Sequence, residues 1–191
     1  MIHLQTPQEV VIMDEANRIV LDVLDRLEKE LAPGVVLQEL DAIAEDVATR
    51  RGAKPAFKGY HGYPKTACIS INEAVVHGIP DARRLNDGDV VSFDIGVKWQ
   101  GCYAESARTW LGGPADAAKQ ALIDTARESL DTALAAYKPG WRIGDFSETI
   151  QHYVEARGFQ LVRDYTGHGI GRQLHEDPQV LHYHDAKVDT V

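Results

Sequence analysis

Cysteine is scarce. The 191-residue chain has two, Cys68 and Cys102, and neither belongs to a Cys-x-x-Cys pair. That excludes a disulfide framework and a zinc knuckle, and it points to reduced thiols. Basic residues are also few: 20 Lys and Arg against 29 Asp and Glu give a net charge of -9 and a pI of about 5.3. Such a chain has no electrostatic attraction toward nucleic acid or an anionic membrane, so neither is an expected partner. Long apolar runs are missing too, and nothing approaches the roughly 20 residues of a membrane span. The N-terminus, Met1-Ile-His-Leu-Gln-Thr-Pro7, lacks the basic-then-apolar order of a secretory signal, so a cytoplasmic location is expected. What is present, 44% apolar and 26% charged residues, is ordinary globular material for one substantial core.

Helix punctuation is clear. Thr6-Pro-Gln-Glu9 offers an N-cap, a proline at the first helical position and a glutamate three residues after the cap. Val10, Met13, Ile19, Val20, Val23, Leu24, Leu27 and Leu31 follow near a 3.6 period, and Pro33-Gly34 stops that helix. A second helix is expected over residues 37–51, strands over 66–77 and 89–110, and helices over 115–137 and 145–157. A shift of 106 residues lays Pro33-Gly34 on Pro139-Gly140 and Arg51-Gly52 on Arg157-Gly158. It also lays Leu37, Leu40, Ala44 and Val47 on Ile143, Phe146, Ile150 and Tyr153. The chain therefore reads as one domain, residues 1–191, with two repeat halves, about 10–110 and 116–191. The halves should pack as pseudo-two-fold partners, an α+β architecture with one curved antiparallel sheet covered by four helices. Residue 191 maps onto Leu85, just before the strands of the first half. The β-leaning Val188-Asp-Thr-Val191 then has no partner, and the second half is expected to lack its last strands.

Asp94 closes the run Val90-Val-Ser-Phe-Asp94, and Glu105 follows a turn at Gly101. Their 11-residue separation lets two antiparallel neighbours place both carboxylates on one face at similar height. Such a pair repels itself unless a cation lies between, and carboxylates with imidazoles suit Mn, Fe, Co or Zn. His168, between glycines in Thr166-Gly-His-Gly-Ile-Gly171, is the candidate imidazole. His175, seven residues on, is expected to reach the same place from a following loop. His77 is expected at the end of a strand.

Several stretches together closely resemble type I, bacterial-type methionine aminopeptidase. They are Lys58-Gly-Tyr-His-Gly-Tyr-Pro-Lys-Thr-Ala-Cys-Ile-Ser-Ile-Asn-Glu73, His77-Gly-Ile-Pro80, Asp87-Gly-Asp89, Asp94, Ser106-Ala-Arg-Thr109, and Thr166 through Val180. The resemblance runs from about residue 5 to residue 180. It implies the pita-bread fold that this family shares with creatinases and prolidases. It also implies removal of N-terminal methionine from nascent proteins with two divalent metal ions, by a chain expected to act as a monomer. Asp94, Glu105 and His168 would be metal ligands. His77 and His175 would act in catalysis by hydrogen-bonding the substrate and the transition state. Tyr60, His61, Tyr63 and Cys68 would join them in binding substrate, with Tyr60, Tyr63 and Cys68 lining the pocket for the methionine side chain. A thiol and aromatic edges suit a polarizable thioether. Small second residues are the family expectation.

Two departures qualify the resemblance. Glu105 stands where the family has Asp, and its extra methylene moves the carboxylate. The family's two glutamate ligands come from strands that follow this region. A chain without them is expected to bind metal weakly and turn over little. The alternative reading is then an impaired relative that binds peptides or a protein partner.

Overall fold

The computed structural model describes residues 2–114 and 116–187. The tail Val188–Val191 and the expected helix start at Ala115 lie outside the described residues. Helix α1 spans Pro7–Glu30, and its first turn is the capping box expected from Thr6 and Glu9: Glu9 N donates to Thr6 Oγ1 (3.3 Å) while Thr6 N donates to Glu9 Oε2 (2.8 Å). Helix α2 is Leu37–Arg50. Strands β1 (Lys54–Pro55), β2 (Ala67–Ile71), β3 (Asp89–Trp99) and β4 (Cys102–Gly112) follow. Helices α3 (Ala117–Ala136) and α4 (Ile143–Glu155) precede the short strands β5 (Gly167–Gly169) and β6 (Glu176–Val180). The described chain forms two compact units: Leu4–Asp116 with Ile170–Leu174, and Ala117–Gly169 with residues 2–3 and 175–187.

In the first unit β3 is central and antiparallel to β4 along one edge, with β2 and β1 on successive stretches of the other. Gln100-Gly101 turns β3 into β4, both with positive φ (47° and 90°), as a two-residue hairpin loop requires. Period-2 alternation divides the sheet into two chemistries. One face, with Ile69, Val91, Phe93, Ile95, Val97 and Ala104, is buried in a core with Ile19, Val20, Val23, Leu24 and Leu27 of α1 and Leu37, Leu40 and Ala44 of α2. The opposite face carries Cys68, Ser70, Ser92, Asp94, Glu105 and Thr109 by register. An Asp on the apolar face of α2 has a defined task. Asp41 is 6% exposed, and its Oδ1 accepts from Thr66 N and Ala67 N (2.9 Å each), fixing the start of β2.

One expectation needs correction. The strand over residues 66–77 ends at Ile71. Asn72 turns the chain with φ 53°, and its side chain binds the start of β3, accepting from Val90 N (3.0 Å) and donating to Asp89 Oδ1 (2.8 Å). The β-branched Val75-Val76 stretch is therefore loop, and His77 is not at a strand end.

In the second unit α3 packs on α4 around Ala133, Ile150 and Val154, with Phe146, Phe159 and Leu161 alongside. Ser147 Oγ donates to Leu181 O (2.6 Å) and ties α4 to the end of the β5–β6 ribbon.

Candidate functional site

Asp94 lies opposite Ala107 across the β3–β4 ladder, and Glu105 lies opposite Gly96. The two acids are thus diagonal neighbours on one face, roughly 7–8 Å apart at this kind of register. Cys68 faces Asp94 from β2, which puts all three residues on the same side of the sheet. Asp94 Oδ1 and Glu105 Oε2 are shielded from solvent. Burying anionic oxygens costs several kcal/mol unless hydrogen bonds or a cation compensate, at about the magnitude known for buried ions. Hard oxygen donors on a rigid sheet fit a divalent ion.

Cys68 responds to the same surroundings. Burial, with the charges of Asp94, Glu105 and Asp41 behind it, pushes the thiol up to about 11, against the pull of its hydrogen bond with Tyr63. The thiol is therefore neutral at ordinary pH. Tyr63 is also held protonated, first by burial and then by its hydrogen bond with Cys68. Its hydroxyl lies 2.9 Å from Ala67 O and 3.0 Å from Gly78 O, two acceptors that pin the ring beside β2. Around this pair Phe57, Cys68 and Leu174 form a buried apolar cluster, joined by Ala56, Tyr63, Tyr103 and Ile170. Gly96 makes room for it, since a Cβ there would come within 2.6 Å of the Phe57 ring.

Tyr63 and Cys68 therefore come together as expected. Tyr60 and His61 do not join that cluster; both are exposed, and their rings meet edge-on at 4.3 Å. Phe57, Ile170 and Leu174 complete the cluster and were not foreseen. Only the spacing of Leu174, one residue before His175, hinted at it.

His77 is exposed on the loop after β2, with φ 59°. A left-handed conformation costs of order 1 kcal/mol or more, and histidine is among the side chains that adopt it most readily. The residue after it explains part of the geometry: a Cβ on Gly78 would sit 2.3 Å from Ile69 O, so the backbone there lies directly on β2.

In the second unit His168 and His175 come together, with ring centroids 4.3 Å apart. His168 Nδ1 is 2.9 Å from Gly169 O. A carbonyl only accepts, so a ring with its proton on Nδ1 donates to it, and Nε2 is then the nitrogen that could ligate. A backbone carbonyl on the other nitrogen is a common way to orient a ligating imidazole. The flanking glycines serve the ribbon itself: a Cβ on Gly169 would come within 2.3 Å of Asp177 O, and one on Gly167 within 3.1 Å of Val180 O. Among the described residues, no three His, Cys, Asp or Glu side chains converge as a metal-holding group. The carboxylate pair belongs to one unit and the histidine pair to the other.

Comparison with known proteins identifies the family. The pattern of metallopeptidase family M24 matches residues 11–190. Methionine aminopeptidase 1 of Bacillus subtilis is 46% identical over 183 residues, covering 96% of this chain and 74% of that protein. Methionine aminopeptidase of Escherichia coli is 43% identical over 192 residues, covering 100% and 73%. The crystal structure of methionine aminopeptidase from Thermotoga maritima superposes with a TM-score of 0.95 at 41% identity, over 97% of this chain and 75% of that one. Prolidase from Pyrococcus furiosus, 22% identical with a TM-score of 0.84 over 96% of this chain and 53% of that one, shares the fold. The fold is the α+β pita-bread fold.

Proposed function

The chain belongs to metallopeptidase family M24, and we propose that its reaction is removal of N-terminal methionine by hydrolysis of the first peptide bond. The observation that carries this reading is the diagonal pair Asp94 and Glu105, with shielded oxygens on the polar face of a sheet whose other face is core. Asp94, Glu105 and His168, the last through Nε2, would hold divalent metal, in two ions drawn from Mn, Fe, Co or Zn. Such an ion supplies Lewis acidity, polarising a carbonyl and lowering the pKa of water.

The chain's own groups do the rest. His77 and His175 donate hydrogen bonds to the oxygen that gains charge as the carbonyl becomes tetrahedral. Neutral Cys68 and Tyr63, with Phe57, Ile170 and Leu174, receive the thioether side chain and exclude water from it. Tyr60 and His61, on the rim, would contact the substrate beyond that pocket. The protein is read as a cytoplasmic monomer acting on peptides and nascent chains. Its net charge of -9 favours neither nucleic acid nor membrane, and no described helix is long and apolar enough to cross a bilayer.

The test is calorimetric titration with Mn(II) or Co(II), alongside release of free methionine from a Met-Ala-Ser peptide. Asp94→Asn should weaken metal binding at least about tenfold, since losing even a residue that orients a ligand costs about 10–100-fold. Glu105→Asp, which withdraws one methylene, should tighten it. Metal affinity indifferent to Asp94→Asn would sink the ligand assignment. Metal binding without methionine release would replace the enzyme with a peptide-binding module.

A further inference from the structure

The loop Ile170–Leu174 has one charged residue, Arg172, and it is tied to the far end of the sequence. Arg172 Nε donates to Glu9 Oε1 at 2.5 Å, across 163 positions. Glu9 divides its oxygens between two tasks. Oε2 accepts from Thr6 N and Thr6 Oγ1, both at 2.8 Å, and caps α1; Oε1 holds the guanidinium. Two further ties hold the same loop. Tyr103 N donates to Gly171 O (2.7 Å), and Leu174 is 3% exposed in the cluster with Phe57 and Cys68. The Arg172–Glu9 pair therefore anchors the loop two residues before the side chain that covers Cys68.

We propose that Arg172 is a positioning residue: through Glu9 it seats Leu174 against Cys68 and sets the shape of the pocket for a peptide's first side chain. The pocket's role rests on the aminopeptidase reading; the seating of Leu174 does not. Glu9 behaves as a firmly paired carboxylate, held down to about 2 chiefly by Arg172 and then by its bonds to Thr6. Arginine suits the task because its planar fork loses less freedom per bond than a lysine would.

The experiment has two arms, and both use the full chain. In a Cys102→Ser background, the reaction of Cys68 with a disulfide reagent reports how often Leu174 lifts away. Arg172→Ala and Glu9→Gln should each speed it by about tenfold, because local opening exposes the thiol. Glu9→Gln still supplies the capping-box acceptor, so it breaks the anchor without removing the helix cap. Arg172→Lys should restore most of the protection. In the second arm, Arg172→Ala should raise KM for Met-Ala-Ser by about three- to tenfold while kcat stays within about twofold, the signature of lost ground-state binding. Unchanged thiol reactivity in both variants would overturn the proposal. So would faster thiol reaction with an unaltered KM, which leaves Arg172 a merely structural tie. A wild-type chain that releases no methionine would remove the aminopeptidase reading, while the thiol arm would still decide whether Arg172 seats Leu174.

Discussion

Helices α1 and α3 correspond under the 106-residue shift of the sequence, yet α1 buries two stripes of side chains and α3 only one of them. Ile19, Val23 and Leu27 of α1 correspond to Thr125, Ser129 and Ala133 of α3, and all six are buried. Ala16, Val20 and Leu24 correspond to Leu122, Ala126 and Leu130. The first three are 0% exposed, whereas Leu122 and Leu130 are both 47% exposed. The reason lies in what each helix touches. Helix α1 packs on α2 and also on β3 and β4; among the described elements, α3 packs on α4. The seam shared by both halves is therefore the helix–helix contact. The second stripe is buried only where a sheet covers it.

Substitution can break this comparison. Leu24→Ala should cost about 2–5 kcal/mol, the range for emptying a fully buried leucine site. Leu130→Ala, at the matching position, should stay within about 0.5 kcal/mol. Urea unfolding followed by far-UV circular dichroism measures both. Equal losses would mean that the Leu130 face is covered in solution.

A second matched pair lies on the inner helices. Asp41 of α2 and Ser147 of α4 are also 106 residues apart, both are buried, and each ties its helix to a strand. The polarity differs. Asp41 accepts from two backbone N–H groups, while Ser147 donates to one carbonyl. Asp41→Ala strands two buried donors and should cost about 2–4 kcal/mol; Ser147→Ala should cost about 1 kcal/mol. Denaturant midpoints that reverse this order would mean that the two bonds to Asp41 hold the fold less firmly than the one from Ser147. The turns should match more closely. Gly34 and Gly140 have φ of 91° and 92°, with open space where a Cβ would sit. Alanine at either site should therefore cost the same, about 1 kcal/mol of backbone strain.

Local chemistry made much of this legible. The Thr6–Glu9 box, the Pro-Gly stops and the repeat rest on capping and φ preferences, which act within a few residues. The acid pair was legible because a strand has period 2 and the Asp94-to-Glu105 spacing fits one hairpin. Residues 72–77 misled because Val75 and Val76 favour strands, while Asn72 turns the chain through bonds to Asp89 and Val90. The rest of the apolar cluster around Cys68 was hidden for another reason. Phe57 and Leu174 meet Cys68 from distant parts of the chain, and no periodicity carries that information. Asp41 did leave a signal, an acid on the apolar stripe of Leu37, Leu40 and Ala44.

The smallest expected effect concerns the start of α1. Glu9 is held down to about 2, below the ordinary glutamate value of 4.5, first by Arg172, then by Thr6. A carboxylate with a depressed folded pKa stabilises the fold above its unfolded value, and the contribution is lost as pH falls through the folded value. The window here is therefore acid, from about 4.5 down to about 2. Above it, stability should be flat with respect to this group. Glu9→Gln should lower stability near neutral pH and flatten the loss across the acid window, because no proton is then taken up at this position. Raising ionic strength should reduce the difference between the two proteins, since Arg172 is largely exposed. The check is a pair of urea-midpoint profiles against pH. Parallel acid slopes for the two proteins would remove the Arg172–Glu9 pair from the forces that hold the first unit together.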